Sequence, residues 1–361
     1  MLKYRTYHLL LLTFLVNAPK NLSAQKMPPT GFDTTFYHTY WEMVTGRVYM
    51  SQKYTTFTMK APSDLITDLH YRPNTTLNLG AGFTYRWLTL NLGYGFGFLN
   101  KDTEKGKTTY LDLQSHIYAR KTSIDLLGQF YNGMYLHPRT ASTTSSDNWY
   151  LRSDMKITQL GVVAYRVLNW KRFSYAAALV QNAWQKKSAG SFLIGLEMYY
   201  GVTKADSAFV PSSVQNNYKQ QGISKILYAT AGPGVGYAYT LVIARHFYIM
   251  ASVTSSLSLS FLKEWHKTGV ANSQRISPGF AIRGGTGYNS TRLNISVVAV
   301  NNSIHLEGYG PYVMRTGNIR VNIAYRFAAS AKFQKTWKQV IPGKISSRGL
   351  GSGKDVVSAG F

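Results

Sequence analysis

The chain has no cysteine, few acids and no long apolar run. Each shortage closes off a class of protein. Without cysteine there is no disulfide framework, no lipoprotein anchor and no thiolate metal site. No stretch reaches the ~18 consecutive apolar residues of a transmembrane helix. Only 15 Asp and Glu stand against 40 Lys and Arg, a formal net charge of +25. On a soluble protein that excess would suggest nucleic acid. Here the cations are spread over turns and strand ends, with no basic helix and no basic block interleaved with aromatics. Nucleic acid is therefore set aside, and lipopolysaccharide phosphates and anionic headgroups are the expected acidic partners.

The first residues read as a secretory leader. Lys3 and Arg5 form a basic start, residues 9–16 an apolar stretch too short to span a bilayer, and Leu22-Ser23-Ala24 a small-residue cleavage motif. Residues 1–24 are the expected signal peptide, for Sec-type export. Export without a transmembrane helix leaves a soluble exported protein or an outer-membrane barrel.

Composition and periodicity choose the barrel. Aromatics make up 14% of the chain, with 27 Tyr, against 15% charged residues. Tyrosine suits an aromatic girdle, where one end of the ring is wet and the other apolar. Residues 74–100, NTTLNLGAGFTYRWLTLNLGYGFGFLN, alternate at period two through two strand-length runs. A two-residue turn at Arg86-Trp87 would pair Tyr85 with Leu88, Phe83 with Leu90 and Leu77 with Phe96. Both apolar sets then share one face. Residues 247–262 and 317–327 repeat the pattern. A soluble sandwich also alternates, but its strands average about 5–6 residues and these are about twice that.

The expected organisation is a periplasmic lead-in at 25–46, one barrel over 47–327 and a basic, Gly/Ser-rich flexible tail at 328–361. Strands are expected at 47–60, 75–85, 88–98, 109–120, 123–136, 156–168, 173–184, 191–202, 234–243, 247–262, 275–288, 292–304 and 317–327. Short turns at 86–87, 121–122, 244–246 and 289–290 mark the periplasmic side. The strand total is odd and alternation fails by one crossing after residue 202. One strand is therefore expected inside 203–231, with 223–229 the candidate. The fold class is an all-β, antiparallel transmembrane barrel of about 12–14 strands. Insertion then calls for the barrel assembly machinery of a Gram-negative outer membrane.

Trp41, Thr45-Gly46-Arg47, Lys53-Tyr54-Thr55, Tyr71-Arg72-Pro73-Asn74-Thr75-Thr76, Gly93-Tyr94-Gly95-Phe96-Gly97-Phe98 and Gly232-Pro233-Gly234-Val235-Gly236-Tyr237 carry a resemblance. The chain resembles an uncharacterised family of Gram-negative outer-membrane proteins, domain of unknown function 4421, over about residues 41–327. The resemblance implies export and an outer-membrane barrel. It implies no activity, substrate or catalytic residue.

Motifs for chemistry are weak. Gly93-x-Gly95-x-Gly97 and Gly232-x-Gly234-x-Gly236 sit at period two inside strands, not at a strand–turn–helix junction as a phosphate loop requires. Residues 349–354 fail the P-loop spacing at Arg348 and Asp355. His305, Ser303 and Glu307 share one strand face, but no hydrolase motif surrounds them. His8, His38, His70, His116, His137, His246 and His266 give no metal-ligand spacing. No catalytic residue, cofactor or metal is expected.

The expected lumen face carries Arg86, Asp112, Arg120, Asp125, Glu197, Arg283, Arg320 and Arg326. A turn at Lys121-Thr122 would set Asp125 opposite Tyr118 and Asp112 opposite Tyr131, with the acids pairing to lumen arginines. If open, such a lumen favours anions. If plugged, its arginines hold the plug. Two roles follow: a passive or gated pore, or a structural or partner-binding barrel that reaches a periplasmic partner through its basic tail. A membrane-embedded lipid hydrolase is a distant third.

Overall fold

The computed structural model describes residues 31–85, 88–99, 102–141 and 148–340. The expected leader, the turn at 86–87 with Arg86, and the tail beyond residue 340 lie outside the described residues. Two short strands stand apart from the main sheet, β1 (Tyr37–Thr39) and β9 (Ala183–Gln185), paired with each other. The main sheet holds β2 (Met43–Met59), β3 (Leu69–Arg72), β4 (Asn78–Tyr85), β5 (Leu88–Gly95), β6 (Thr109–Tyr118), β7 (Thr122–His137) and β8 (Leu151–Val167). It continues through β10 (Ala189–Lys204), β11 (Ile223–Ile243), β12 (Phe247–His266), β13 (Gly269–Asn289), β14 (Leu293–Glu307) and β15 (Pro311–Ala328). Among the described residues there are two α-helices, α1 (Tyr175–Leu179) and α2 (Ala331–Val340), besides short 3-10 turns.

The antiparallel circuit β2-β3-β7-β8-β10-β11-β12-β13-β14-β15 closes on itself when β15 pairs with β2 from Tyr312↔Met59 to Ala328↔Met43. That is a ten-strand barrel. In its lower half β4 continues the line of β3 against β2, and β5 and β6 are added, so the wall there has twelve staves. Among the described residues β5 pairs only with β4 and β6 only with β7, which leaves a seam between them. The expected strand number is met in the lower wall, not in the closed circuit.

The barrel is apolar outside and polar inside. Along β12, Phe247, Ile249, Val253, Leu257, Leu259 and Phe261 are exposed, while Tyr248, Ser252, Thr254, Ser256, Ser258 and Ser260 are buried. A water-soluble sheet would reverse this, so the outer face is written for hydrocarbon. Strands β10 to β15 run 15 to 21 residues. A tilted span needs only about 9–11, and the excess carries these strands beyond the bilayer. No helix among the described residues is long and apolar enough to cross a membrane.

Two expectations need correction. Residues 173–184 are not a strand. They form α1 and the start of β9, buried on every side, and an Ala-rich run without alternation suits a buried turn of helix better than a barrel stave. The strand sought at 223–229 is the first third of β11, which runs unbroken through Gly232-Pro233-Gly234. Pro233 lacks a donor, and the β11–β12 pairing steps over it between Ala231↔Leu259 and Gly234↔Ser256. Removing one false strand and merging two fragments restores strict alternation. Residues 331–340, at the start of the expected tail, form α2. Its Phe333 and Trp337 pack edge-on against Tyr85, each at 4.9 Å between ring centres. Tyr85 lies on the apolar face of the wall yet is buried.

The hairpin of residues 74–100 has the expected register, Tyr85↔Leu88 and Phe83↔Leu90. Its ladder stops at Asn78↔Gly95, one rung short of Leu77 and Phe96.

Candidate functional site: the filled lumen

Polar and aromatic side chains from the wall meet inside the barrel. Arg283 on β13 donates through Nη2 to Asp125 Oδ2 on β7 at 2.6 Å, and His116 Nδ1 lies 2.7 Å from Asp125 Oδ1. Asp125 and Arg283 are both buried. Gln159 Nε2 donates to Thr316 Oγ1 at 3.1 Å, Thr316 to Gln129 Oε1 at 3.2 Å, and the Tyr228 hydroxyl to Gln159 Oε1 at 2.8 Å. Glu197 accepts from Tyr165 at 2.6 Å and from Ser256 at 2.9 Å. Glycines make room for the long tyrosines. A Cβ at Gly234 would lie 2.2 Å from the Tyr165 hydroxyl, and one at Gly201 2.3 Å from Tyr228 Cζ.

Both ends are covered. At the end where β2 begins and β15 ends, α1 and its flanks fold into the barrel mouth. The Tyr175 and Ser252 hydroxyls meet at 2.6 Å, Tyr248 donates to the Ala178 carbonyl at 3.0 Å, and Asn289 Nδ2 to those of Ala177 at 3.3 Å and Ala183 at 3.0 Å. Arg326 donates to the carbonyls of Gln181 and Ser290, each at 2.6 Å, and stacks 4.1 Å over Tyr40. At the far end the 205–222 connection seats Phe209 and Val210 inside. Arg152 holds its carbonyls at Ala208 (2.7 Å) and Ser207 (3.0 Å), Tyr71 donates to the Phe209 carbonyl, and Tyr218 to that of Thr67. Between them a cavity of about 10 Å³ touches His116, Tyr118, Leu179, Val298, Val300, Asn318 and Arg320. It has room for about one water.

Asp112, Asp125, Glu197, Arg283, Arg320 and Arg326 all sit on inward faces of their strands, but only one acid meets an arginine as expected. Asp125 pairs with Arg283. Asp112 accepts from Tyr131 at 2.5 Å and lies 3.8 Å from Lys53 Nζ, which also donates to its backbone carbonyl at 2.9 Å. Glu197 takes neutral donors. Arg120 lies beyond the end of β6, its guanidinium 4.6 Å over the Phe32 ring. The β6–β7 register is His116↔Asp125 and Asp112↔Gln129, a slip of two residues from the expected pairing. A two-residue slip keeps every side chain on its face, so alternation alone could not detect it. Lys53, His116 and Arg47 were missed as lumen groups. Alternation from the strand beginning at residue 47 places Arg47 and Lys53 inward, and the face of Asp112 and Asp125 includes His116.

His305, Ser303 and Glu307 are not assembled. His305 Nδ1 lies 3.2 Å from the Pro278 carbonyl and Ser303 donates to that of Phe280 at 3.3 Å.

A closed antiparallel sheet with an apolar outside and a polar, packed inside is a transmembrane β-barrel. The chain belongs to the family described as Domain of unknown function (DUF4421), whose model matches residues 32–327. Comparison with curated proteins finds no match. Among solved structures the chain is similar to a bacterial polysaccharide outer membrane secretin, at 9% identity and TM-score 0.33, covering 80% of this chain and 99% of that one. It is also similar to a TodX mutant, a monoaromatic hydrocarbon channel, at 7% identity and TM-score 0.28 over 79% and 91%. The Pseudomonas putida toluene transporter TodX follows at 6% and 0.26, over 79% and 89%. These likenesses are loose, and the fold assignment rests on the strand pairing of this chain.

Proposed function

We propose that this protein is an outer-membrane barrel that is closed at rest and acts as a structural or partner-binding element of the envelope. The observation that carries this reading is the filled lumen. Wall side chains, Tyr165, Tyr228, Gln159 and Arg283 among them, occupy the middle of the barrel, so displacing the plug alone leaves it blocked. The plug-side face suits an acidic periplasmic partner. Lys121 lies 4.6 Å over Trp170, Arg172 5.0 Å over Phe36 and Lys187 5.5 Å over Phe36. Basic residues of the tail extend that charge. Outer-membrane lipid and lipopolysaccharide would surround the wall, and the barrel assembly machinery would insert it.

A gated, anion-leaning pore is the second reading. It is favoured by the polar attachment of α1, since the hydrogen bonds from Arg326, Asn289 and Tyr248 can exchange for water. Solute uptake by proteoliposomes separates the two. The closed reading expects no uptake by the wild type or by the double variant Arg326→Gln, Asn289→Ala. Uptake by the variant alone would replace it with the gated pore.

A further inference from the structure

We propose that the small lumen cavity beside Arg320 binds a halide-sized anion. Arg320 points inward from β15 and lines the cavity with Asn318 and His116. Its guanidinium lies 5.6 Å over the Tyr49 ring. Among the described residues it makes no hydrogen bond and no ion pair, and its Nε is without a partner. Asn318, two residues back on the same face, is buried and lines the same cavity.

The neighbouring charges leave this cation uncompensated. Asp125 is already held by Arg283 and His116. Asp112 is held by Tyr131 and Lys53. The next cation, Arg47, comes from the adjoining strand β2, where Ser51 pairs with Arg320 and Arg47 with Ala324. Arg47 donates to Thr84 Oγ1 at 2.5 Å and to Asn182 Oδ1 at 3.4 Å, both neutral, and its Nε is also unpartnered. Among the described residues neither arginine is hydrogen-bonded or ion-paired to a carboxylate. A charge inside a barrel needs a counter-charge or water, and an arginine offers five donors to whichever arrives.

Size selects the ligand. A cavity of about 10 Å³ takes one water-sized body. Chloride or bromide fits that description with modest adjustment, whereas phosphate and sulfate are too large. The inference is independent of whether the barrel ever conducts, because it concerns a site inside the closed form.

The test uses the full chain refolded in detergent. Line broadening of the ³⁵Cl resonance reports exchange of chloride on the protein, and bromide diffraction locates the ion. Chloride should bind the wild type, sulfate should fail to displace it, and Arg320→Gln should weaken binding about tenfold or more, the loss of one charge-assisted contact. Lys267→Gln, in the exposed turn between β12 and β13, controls for the basic surface and should leave the broadening unchanged. If Arg320→Gln does not fold, Asn318→Leu fills the cavity instead and should remove the same broadening. Equal broadening in the cavity variants, or bromide found only on the outer surface, would overturn the proposal.

Discussion

Arg283 and Asp125 meet at 2.6 Å across the middle of the barrel, from strands that stand opposite each other in the ten-strand circuit. Opposite walls are thereby tied by one buried ion pair, with His116 holding the second carboxylate oxygen.

Breaking that pair from one side leaves a charge in the lumen. Asp125→Asn or Arg283→Met should each cost about 3–5 kcal/mol. The double variant Asp125→Leu, Arg283→Met should lose less than the sum of the singles. Thermal unfolding followed by heat-dependent gel mobility measures all three. Additive losses would mean that the two residues act separately.

Helix α2 is expected to stiffen the lower wall. Trp337→Ala removes one of two edge-on contacts to Tyr85 and should cost about 0.5–1.5 kcal/mol. The same substitution should raise the solvent accessibility of Tyr85, read by chemical footprinting. An unchanged Tyr85 signal would place the helix elsewhere.

The seam between β5 and β6 predicts uneven protection. Amides in residues 88–95 and 109–118, each paired along one edge, should exchange faster than those of β12, which is paired along both. Mass-spectrometric hydrogen exchange measures the order. Protection equal to that of β12 would show that the two strands pair with each other.

A small acid-sensitive contribution belongs to Asp68. Burial raises its pKa, but hydrogen bonds from Lys60 (2.6 Å) and the Ala61 amide (2.9 Å), with the Lys60 charge, bring it below the ordinary carboxylate value. A depressed folded-state pKa stabilises above the unfolded value and loses that stabilisation as pH falls through the folded one. Because the pair is partly exposed, the effect should stay below about 1 kcal/mol. Asp68→Asn should flatten that limb of the stability–pH curve, and an unchanged curve would assign the acid sensitivity to other carboxylates.

Much of the wall was legible because hydrocarbon imposes a strict rule. Phe247 to Phe261 alternate with tyrosine, serine and threonine, and no other period puts those residues on opposite faces. The interior follows no such rule. Residues 173–184 look like a strand by apolarity, yet what holds them is a set of hydrogen bonds from Arg326, Asn289 and Tyr248, all distant in sequence. The partner of Asp125 came from the expected set of arginines, but Arg326 caps carbonyls and Arg320 meets no acid. Which arginine reaches which group depends on the register of strands far apart in the chain. The two-residue slip between β6 and β7 shows how little local alternation constrains it.

Single-channel recording on the full-length protein in a planar bilayer tests the central claim of a closed lumen most directly. A filled barrel plugged at one end and capped at the other predicts silence across the usual voltage range. Stable, ohmic conductance steps from the unmodified protein would contradict it.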